Sequence, residues 1–128
     1  MRLALLFLFT SLAVAEPPAD VLAFFRTAAE ELANNEPRNF CDKFDSSMPG
    51  YATLRDEIEA LLAAHEVGST IEVVSNDGDG NKQTVELDWL LSVSDAGNRR
   101  QIVKVRIERR GKQWKIVSFE PIEFFKYQ

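Results

Sequence analysis

The sequence has few of the residues from which catalytic and metal sites are usually built. It contains one cysteine, Cys41, and one histidine, His65. A single cysteine excludes an internal disulfide, and we expect Cys41 to be a small buried apolar residue. A cysteine nucleophile needs a basic partner, for which the chain offers only His65. Because a lone histidine gives weak support for metal or base chemistry, we predict no metal site and no cofactor.

Positively charged residues are fewer than negatively charged ones. The chain has 15 lysine and arginine residues against 20 aspartate and glutamate residues, a net charge of −5 at pH 7. Proteins that bind nucleic acid neutralise its phosphates with clustered lysine and arginine side chains. We therefore expect no nucleic-acid partner.

No apolar run is long enough to cross a membrane, which takes about 20 residues. Residues 3–14 form a shorter apolar run that follows Arg2 and ends in Ala13-Val14-Ala15, the small-x-small form of a signal-peptidase site. We interpret residues 1–15 as a signal peptide and residues 16–128 as a single domain. Removal of Arg2 leaves 14 basic against 20 acidic side chains, a net charge of −6. We predict export to the periplasm or the extracellular space, with no transmembrane segment after cleavage.

Residues 75–82, SNDGDGNK, have some features of a calcium-binding loop. An EF-hand loop beginning at Asp77 would place oxygen ligands at Asp77, Asp79 and Asn81. Its sixth position, which requires glycine, is Lys82, and its twelfth, which requires glutamate, is Asp88. Glycine, asparagine and aspartate tolerate the positive φ angles of tight turns, so we predict a hairpin loop instead.

Two stretches carry apolar residues at the spacing of an amphipathic helix. The first begins near Asp20 and stops at NNEP, residues 34–37; its apolar positions are Val21, Phe24, Phe25, Ala28, Ala29 and Leu32. The second stops before Gly68; its apolar positions are Tyr51, Leu54, Ile58, Leu61, Leu62 and His65. Between them we predict a short helical piece with Phe40, Cys41 and Phe44 on one side.

From Ser69 onward the apolar period changes to the two-residue period of a strand. Strands are predicted at about residues 69–75, 83–94, 100–109 and 113–120, which is typical of an antiparallel meander. The helical stripes need an apolar face to pack on. We therefore predict an α+β fold in which N-terminal helices pack on a curved antiparallel sheet, a cone-like, cystatin-like layout.

Strand alternation assigns the two faces of this sheet. Short loops in the last two hairpins would place Ile107 opposite Trp114 and Leu91 opposite Val103. The predicted inner face is Leu87, Trp89, Leu91, Val93, Val103, Val105, Ile107, Trp114, Ile116 and Ser118. The outer face carries charges of both signs, which we interpret as a solvated lattice of cross-strand ion pairs.

Four apolar residues lie toward one end of the predicted outer face: Leu90, Ile102, Val117 and Phe119. A clustered apolar patch on an outer face indicates that something covers it. One interpretation is a homodimer interface. The other is that the C-terminal tail, with Phe124, Phe125 and Tyr127, folds over the patch. The sequence leaves both interpretations open.

Five segments of the mature chain form a pattern of helices and breaks. They are VLAFF at 21–25, NNEP at 34–37, FCDKF at 40–44, MPGY at 48–51 and GKQWKIV at 111–117. This pattern resembles small exported bacterial members of the nuclear transport factor 2-like, or SnoaL-like, superfamily. Many members have an early strand between the helices, and none is apparent in this sequence. The resemblance implies a conical fold with a pocket between the helices and the concave sheet.

The resemblance leaves the function open, because some members are isomerases, cyclases or dehydratases and others only bind ligands or partners, often as dimers. The predicted inner face lacks the carboxylate base and oxyanion donor that such an isomerase needs. We therefore predict a non-catalytic domain that binds a small apolar ligand or a protein partner. The candidate pocket residues are Tyr51, Trp89, Trp114, Ser118 and Glu120. Plain core packing is the more common role for aromatic residues such as the two tryptophans.

Two alternatives stand beside this prediction. The first is a small acid–base enzyme of the isomerase, cyclase or dehydratase type, whose candidate groups are Glu120, Asp42, Tyr51 and His65. The second is a homodimerising interaction module. A cavity with a buried carboxylate favours the enzyme, an apolar cavity favours ligand binding, and a filled interior with an exposed apolar patch favours association.

Overall fold

The computed structural model describes residues 17–127. In them three helices precede four strands: α1 (Ala19–Ala33), α2 (Pro37–Cys41), α3 (Tyr51–Ala64), β1 (Val67–Gly78), β2 (Lys82–Val93), β3 (Gly97–Arg110) and β4 (Gln113–Glu120). The strands form one antiparallel sheet in chain order, and the helices pack on one of its faces. The predicted α+β fold class is confirmed. The predicted signal peptide, residues 1–15, lies outside the described residues.

Local turn chemistry sets the helix ends near the predicted positions. Beyond α1, Asn35 has a left-handed φ of 59°, and Pro37 starts α2. α3 follows Gly50, whose φ of 82° is also left-handed. The buried residues of the two long helices are Val21, Phe25, Ala28, Ala29, Leu32, Leu54, Ile58, Leu61 and Leu62. No helix in residues 17–127 combines the length and apolarity needed to cross a bilayer.

The SNDGDGNK segment carries the predicted β1–β2 hairpin, but its turn is shorter than predicted: residues 75–78 still pair in β1, residues 79–81 form the turn and Lys82 begins β2. Asp79 Oδ1 accepts hydrogen bonds from the backbone N–H groups of Asn81 (2.8 Å) and Lys82 (2.9 Å). These bonds hold the pKa of the Asp79 carboxyl below its usual range. The aspartate therefore closes the turn with its own backbone neighbours.

The β2–β3 register differs from the predicted one by an even number of residues. Leu87, rather than Leu91, lies opposite Val103. The turn comes earlier than predicted because Asp95 and Gly97 adopt left-handed φ angles of 64° and 88°. Since an even shift keeps every side chain on its face, the predicted inner residues of β2 and β3 are all buried.

A β-bulge in the β3–β4 hairpin reverses two predicted assignments. Arg106 pairs with Ser118 while the next residue of β3 pairs with Ile116, so Val117 is an extra residue in β4. Beyond the bulge the alternation of β4 is inverted. Phe119 lies in the core with 3% of its surface exposed, so the prediction that it lies on the outer face is wrong. Ser118, predicted to point inward, lies opposite the exposed Arg106, and that prediction is wrong too.

A short segment between the helices borders the edge of β4. Phe44 forms a single parallel bridge to Ile116. In it the Asp45 N–H donates to the Ile116 carbonyl, and the Ile116 N–H donates to the Lys43 carbonyl, both at 2.8 Å. This single bridge lies between the helices, where many members of the superfamily have an early strand. Within the described chain β1, at the other end of the sheet, has a strand partner on one side only.

Candidate functional site

The concave face of the sheet, where the family resemblance implies a pocket, is filled by aromatic rings. Trp89 is 1% exposed, and its ring centroid lies 6.2 Å from Phe40, 5.9 Å from Phe119, 5.5 Å from Phe124 and 5.4 Å from Phe125. We term these five residues the aromatic cluster. Because Phe124 and Phe125 belong to the C-terminal tail, the tail packs inward, and the interpretation that it covers the outer patch is wrong.

Few polar groups lie in or near the aromatic cluster. Trp89 Nε1 donates to Ser69 Oγ at 3.0 Å, which satisfies the indole. Gln83 is the one polar residue that is buried among residues 17–127, and its amide donates to the Asp79 carbonyl at the hairpin turn. Acid–base pockets are marked by buried charged groups with perturbed pKa values. No charged side chain is buried among residues 17–127, so no such pocket lies beside Trp89, and Trp89 is a core residue in this conformation.

Trp114 lies apart from the aromatic cluster and joins α1 to the sheet. It lies opposite Arg109, not opposite Ile107 as predicted. Its Nε1 donates to Asp20 Oδ2 at 3.0 Å, and the same oxygen accepts from Arg109 Nη2 at 2.7 Å. These bonds, that from Arg109 foremost, lower the pKa of the Asp20 carboxyl. The Arg109 guanidinium also lies 4.3 Å from the Trp114 ring centroid, a cation–π contact.

The remaining candidate pocket residues lie at separate places on the surface. Tyr51 begins α3 and lines a cleft of about 320 Å³ beside Asp42. Ser118 is half-buried next to the bulge, and Glu120 is exposed opposite Lys104. The structure does not bring Tyr51, Trp89, Trp114, Ser118 and Glu120 together in one pocket.

Of the candidate acid–base groups, Asp42 and Tyr51 line the same cleft, whereas His65 and Glu120 lie elsewhere. His65 follows α3, and its Nδ1 lies 2.7 Å from the Ser94 carbonyl oxygen, so Nδ1 carries the proton and donates. Tyr51 begins the same helix, about 20 Å away at 1.5 Å per residue. Cys41 is buried, and burial raises the pKa of its thiol to about 11. Residues 17–127 hold no group of three or more His, Cys, Asp or Glu side chains that would bind a metal ion.

The predicted outer patch has lost part of its apolar surface. Ile102 is 50% exposed, whereas Leu90 and Val117 are half-buried and Phe119 is in the core. One exposed apolar side chain on a charged face is ordinary for a protein surface. The geometry therefore favours the homodimer interpretation less than the sequence did.

A groove of about 680 Å³ between α1 and β1 was not among the predicted sites. Its apolar walls include Leu22, Phe25 and Ala29 of α1 and Ile71 and Val73 of β1. The charged residues beside it are Arg26, Glu30 and Glu72, all exposed. We term this feature the α1–β1 groove.

The free edge of β1 forms one side of the α1–β1 groove. Within the described chain β1 pairs only with β2, so alternate backbone N–H and C=O groups on its other edge have no strand partner. Consecutive residues 69–73 all line the groove, which places the strand edge, rather than one face, against it. A bulge at Val74, which is 45% exposed, ends this regular stretch. The predicted meander order was the signal for this site, because it makes the first strand an edge.

The sequence matches no protein-family model and no curated protein, whereas several solved structures share its fold. Bd1075 from Bdellovibrio bacteriovorus superposes with a TM-score of 0.70 at 13% identity over 79% of this chain, which spans only 39% of that protein. A nuclear transport factor 2-like protein of unknown function from Shewanella oneidensis gives 0.65 at 9% identity, over 81% of this chain and 97% of that one. A candidate scytalone dehydratase from Novosphingobium aromaticivorans gives 0.64 at 10% identity, over 78% of each chain.

Identities this low carry no information on activity or ligands. The superpositions cover 79% and 81% of this chain, and the helices followed by a four-stranded antiparallel sheet agree with the fold of these neighbours. The chain has the nuclear transport factor 2-like fold.

Proposed function

We propose that this chain is an exported, non-catalytic domain whose α1–β1 groove binds an extended segment of another protein. The free edge of β1 is the observation that carries the proposal. An extended chain that pairs with this edge satisfies its backbone groups, as in other cases of β-strand addition. A small apolar molecule in the groove could not form these hydrogen bonds, so the backbone groups of the β1 edge would remain bonded to water only. While the aromatic cluster is in place, it occupies the space that a pocket substrate needs.

The walls and charges of the groove define the chemistry of the segment. Residues 69–73 extend over about 17 Å at roughly 3.3 Å per residue, which matches five or six residues of a paired strand. Alternate side chains of the segment turn toward Ile71 and are apolar. Glu30 and Glu72 outnumber Arg26, and none of the three forms an ion pair with another described residue. A lysine or arginine next to the apolar positions complements these charges.

Site-specific photo-crosslinking in the native host tests the proposal. A photoreactive amino acid replaces either Thr70, which is exposed in the groove, or Ile102, which is exposed on the outer face and serves as the control. We expect a partner to crosslink from position 70 and not from position 102, at a segment whose apolar residues alternate. Equal crosslinking from both positions, or crosslinking to a second copy of this chain, contradicts the proposal.

A synthetic peptide of the crosslinked segment then distinguishes strand addition from general apolar adhesion. Methylation of the backbone nitrogens along one edge of the peptide removes hydrogen bonds to β1, and methylation along the opposite edge leaves them. We expect only the first modification to abolish binding. Ile71→Lys in the groove should also abolish it, and Ile102→Lys should not. Similar affinities for both methylated peptides would exclude pairing with β1.

The export component of the proposal rests on residues 1–15 alone. Intact mass measurement on protein isolated from fractions of its own host tests it. We expect a chain that begins at Glu16 in the periplasmic or extracellular fraction. A chain that retains residues 1–15 in the cytoplasmic fraction would contradict export, and the partner would then have to be sought in the cytoplasm.

A further inference from the structure

The C-terminal tail, residues 121–127, completes the aromatic cluster without belonging to a helix or to the sheet. Phe124 and Phe125 are both buried, with 1% and 0% of their surfaces exposed. Their ring centroids lie 5.5 and 5.4 Å from that of Trp89, and the Phe125 ring stacks on Phe119 at 5.4 Å. Two side chains of a terminal segment thus occupy the centre of the concave face.

The backbone of the tail is held to the rest of the protein mainly by Arg99 of β3. The tail's own backbone hydrogen bonds are two tight turns, and none joins it to another described residue. Arg99 Nη1 donates to the carbonyl oxygens of Phe124 and Lys126, the second at 3.0 Å. The Arg99 guanidinium also lies 4.3 Å from the Tyr127 ring centroid. Ile122 and Tyr127 also pack, partly buried, against the core. The tail is therefore attached to the rest of the described chain by side chains and not by backbone–backbone hydrogen bonds.

We propose that the tail is a releasable plug with Arg99 as its latch, and that an uncharged aromatic molecule takes the place of its two rings when the latch opens. The rings left behind are Phe40, Trp89 and Phe119. They form an aromatic wall suited to a flat molecule of one or two rings. The ring wall carries no charge, and no charged side chain is buried among residues 17–127, so the part of a ligand that replaces the two rings is uncharged. The site is separate from the α1–β1 groove, so either proposal can fail alone.

A plug must open while the helices and the sheet stay folded. Segments with few backbone hydrogen bonds to their surroundings open locally, at a lower free energy than the whole domain. The affinity of the site for its ligand is then reduced by the fraction of molecules in which the plug is open. A tail that is only part of the core would open when the whole chain unfolds, and not before.

Hydrogen exchange on the full chain tests whether the tail opens by itself. We expect the two hydrogen-bonded tail amides, those of Phe124 and Lys126, to exchange at least tenfold faster than the amides of β2, with a weaker dependence on denaturant. Arg99→Ala should accelerate exchange in the tail a further tenfold. The control is Arg100→Ala, whose side chain binds Asp88 on the outer face and should leave the tail unchanged. Tail amides that exchange at the rate and denaturant dependence of β2 overturn the proposal.

Indole tests the site itself. With 5-fluorotryptophan, Trp89 reports on the site, and Trp114, bound to Asp20, is the reference signal in the ¹⁹F spectrum. We expect indole to shift the Trp89 signal alone and to bind Arg99→Ala at least tenfold more tightly than wild type. Phe124→Ala, which opens space directly, should bind indole with the latch intact. A Trp89 signal that indole shifts in neither variant, or a Trp114 signal that moves equally, overturns the proposal.

Discussion

Gly78, the last residue of β1, and Gly80, in the turn that follows, lie two residues apart, and replacing each by alanine should have different consequences. Gly78 has a φ of 145°, and a Cβ atom on it would lie 2.1 Å from the Lys82 carbonyl oxygen and 2.8 Å from Gln83 Cα. Both are backbone atoms of β2, so the strand pairing has to give way. A Cβ atom on Gly80 would meet nothing within 4 Å.

The cost of Gly78→Ala can be worked out from the bonds that the shift breaks. Alanine in a backbone conformation reserved for glycine costs about 1–3 kcal/mol. Displacing Lys82 also breaks the hydrogen bond from the Asp79 N–H to the Lys82 carbonyl and the one from the Lys82 N–H to Asp79 Oδ1, at about 1 kcal/mol each. We expect the free energy of unfolding to fall by about 3–5 kcal/mol in Gly78→Ala. In Gly80→Ala it should change by less than about 0.5 kcal/mol.

Urea unfolding followed by tryptophan fluorescence measures both variants. With a slope of about 1–3 kcal/mol per molar urea, the unfolding midpoint of Gly78→Ala should fall by about 2 M. That of Gly80→Ala should stay within about 0.3 M of wild type. A Gly78→Ala variant as stable as wild type would refute the steric argument. If both variants lost the same large amount of stability, the cause would be the reduced flexibility of the turn and not the contact of the new Cβ atom.

Three further predictions follow from burial and charge. Phe125→Ala should lower the free energy of unfolding by about 3–5 kcal/mol in urea, and the half-exposed Ile102→Ala by less than about 1 kcal/mol. Equal losses in the two variants would contradict this. Asp45 has a pKa lowered to about 2, chiefly because Ser47 donates to it; its contribution is complete above pH 3.8 and lost as the pH falls through about 2. Asp45→Asn should therefore flatten the acid limb of a stability–pH curve, and an unchanged limb would contradict this. The pKa of Cys41 is about 11 in the folded protein against an ordinary value of 9.0, which gives roughly a hundredfold less thiolate at pH 8. Native protein should therefore react with a thiol reagent at least a hundredfold more slowly than protein unfolded in urea. Comparable rates would show that the thiol is accessible in the native protein.

Helices and strands could be predicted from the sequence because burial has a local period. The apolar residues of α1 and α3 recur at helical spacing, and those of β2 and β3 alternate, so each element reveals its buried side without knowledge of its neighbours. The β2–β3 register was wrong, yet the faces were right, because the error was an even number of residues. The register was missed because the turn depends on the left-handed φ of Asp95, and aspartate tolerates this conformation without requiring it.

The candidate site could not be predicted in the same way, because it depends on non-local packing. Nothing in the residues around Val117 marks it as a bulge, and one inserted residue inverts the faces of Ser118 and Phe119. The aromatic residues of the tail suit an inner or an outer face equally well. The α1–β1 groove depends on the distance between a helix and a strand about 40 residues apart in the sequence, which no local pattern records.

The bulge, the aromatic cluster and the inward tail depend on one another. With regular alternation, Phe119 would face outward and Phe125 would lose the ring on which it stacks. The extra residue Val117 turns an aromatic side chain inward at the position where the tail enters, and the two tail rings then complete the core. Because the chain's own tail fills the concave face, the edge strands of the sheet are the places left where another protein can pair with the backbone. The β4 edge is bridged by Phe44, whereas the β1 edge has no strand partner in the described chain, and for this reason we propose that β1 binds the protein partner. A small aromatic ligand would instead reach the concave face where the tail held by Arg99 is released.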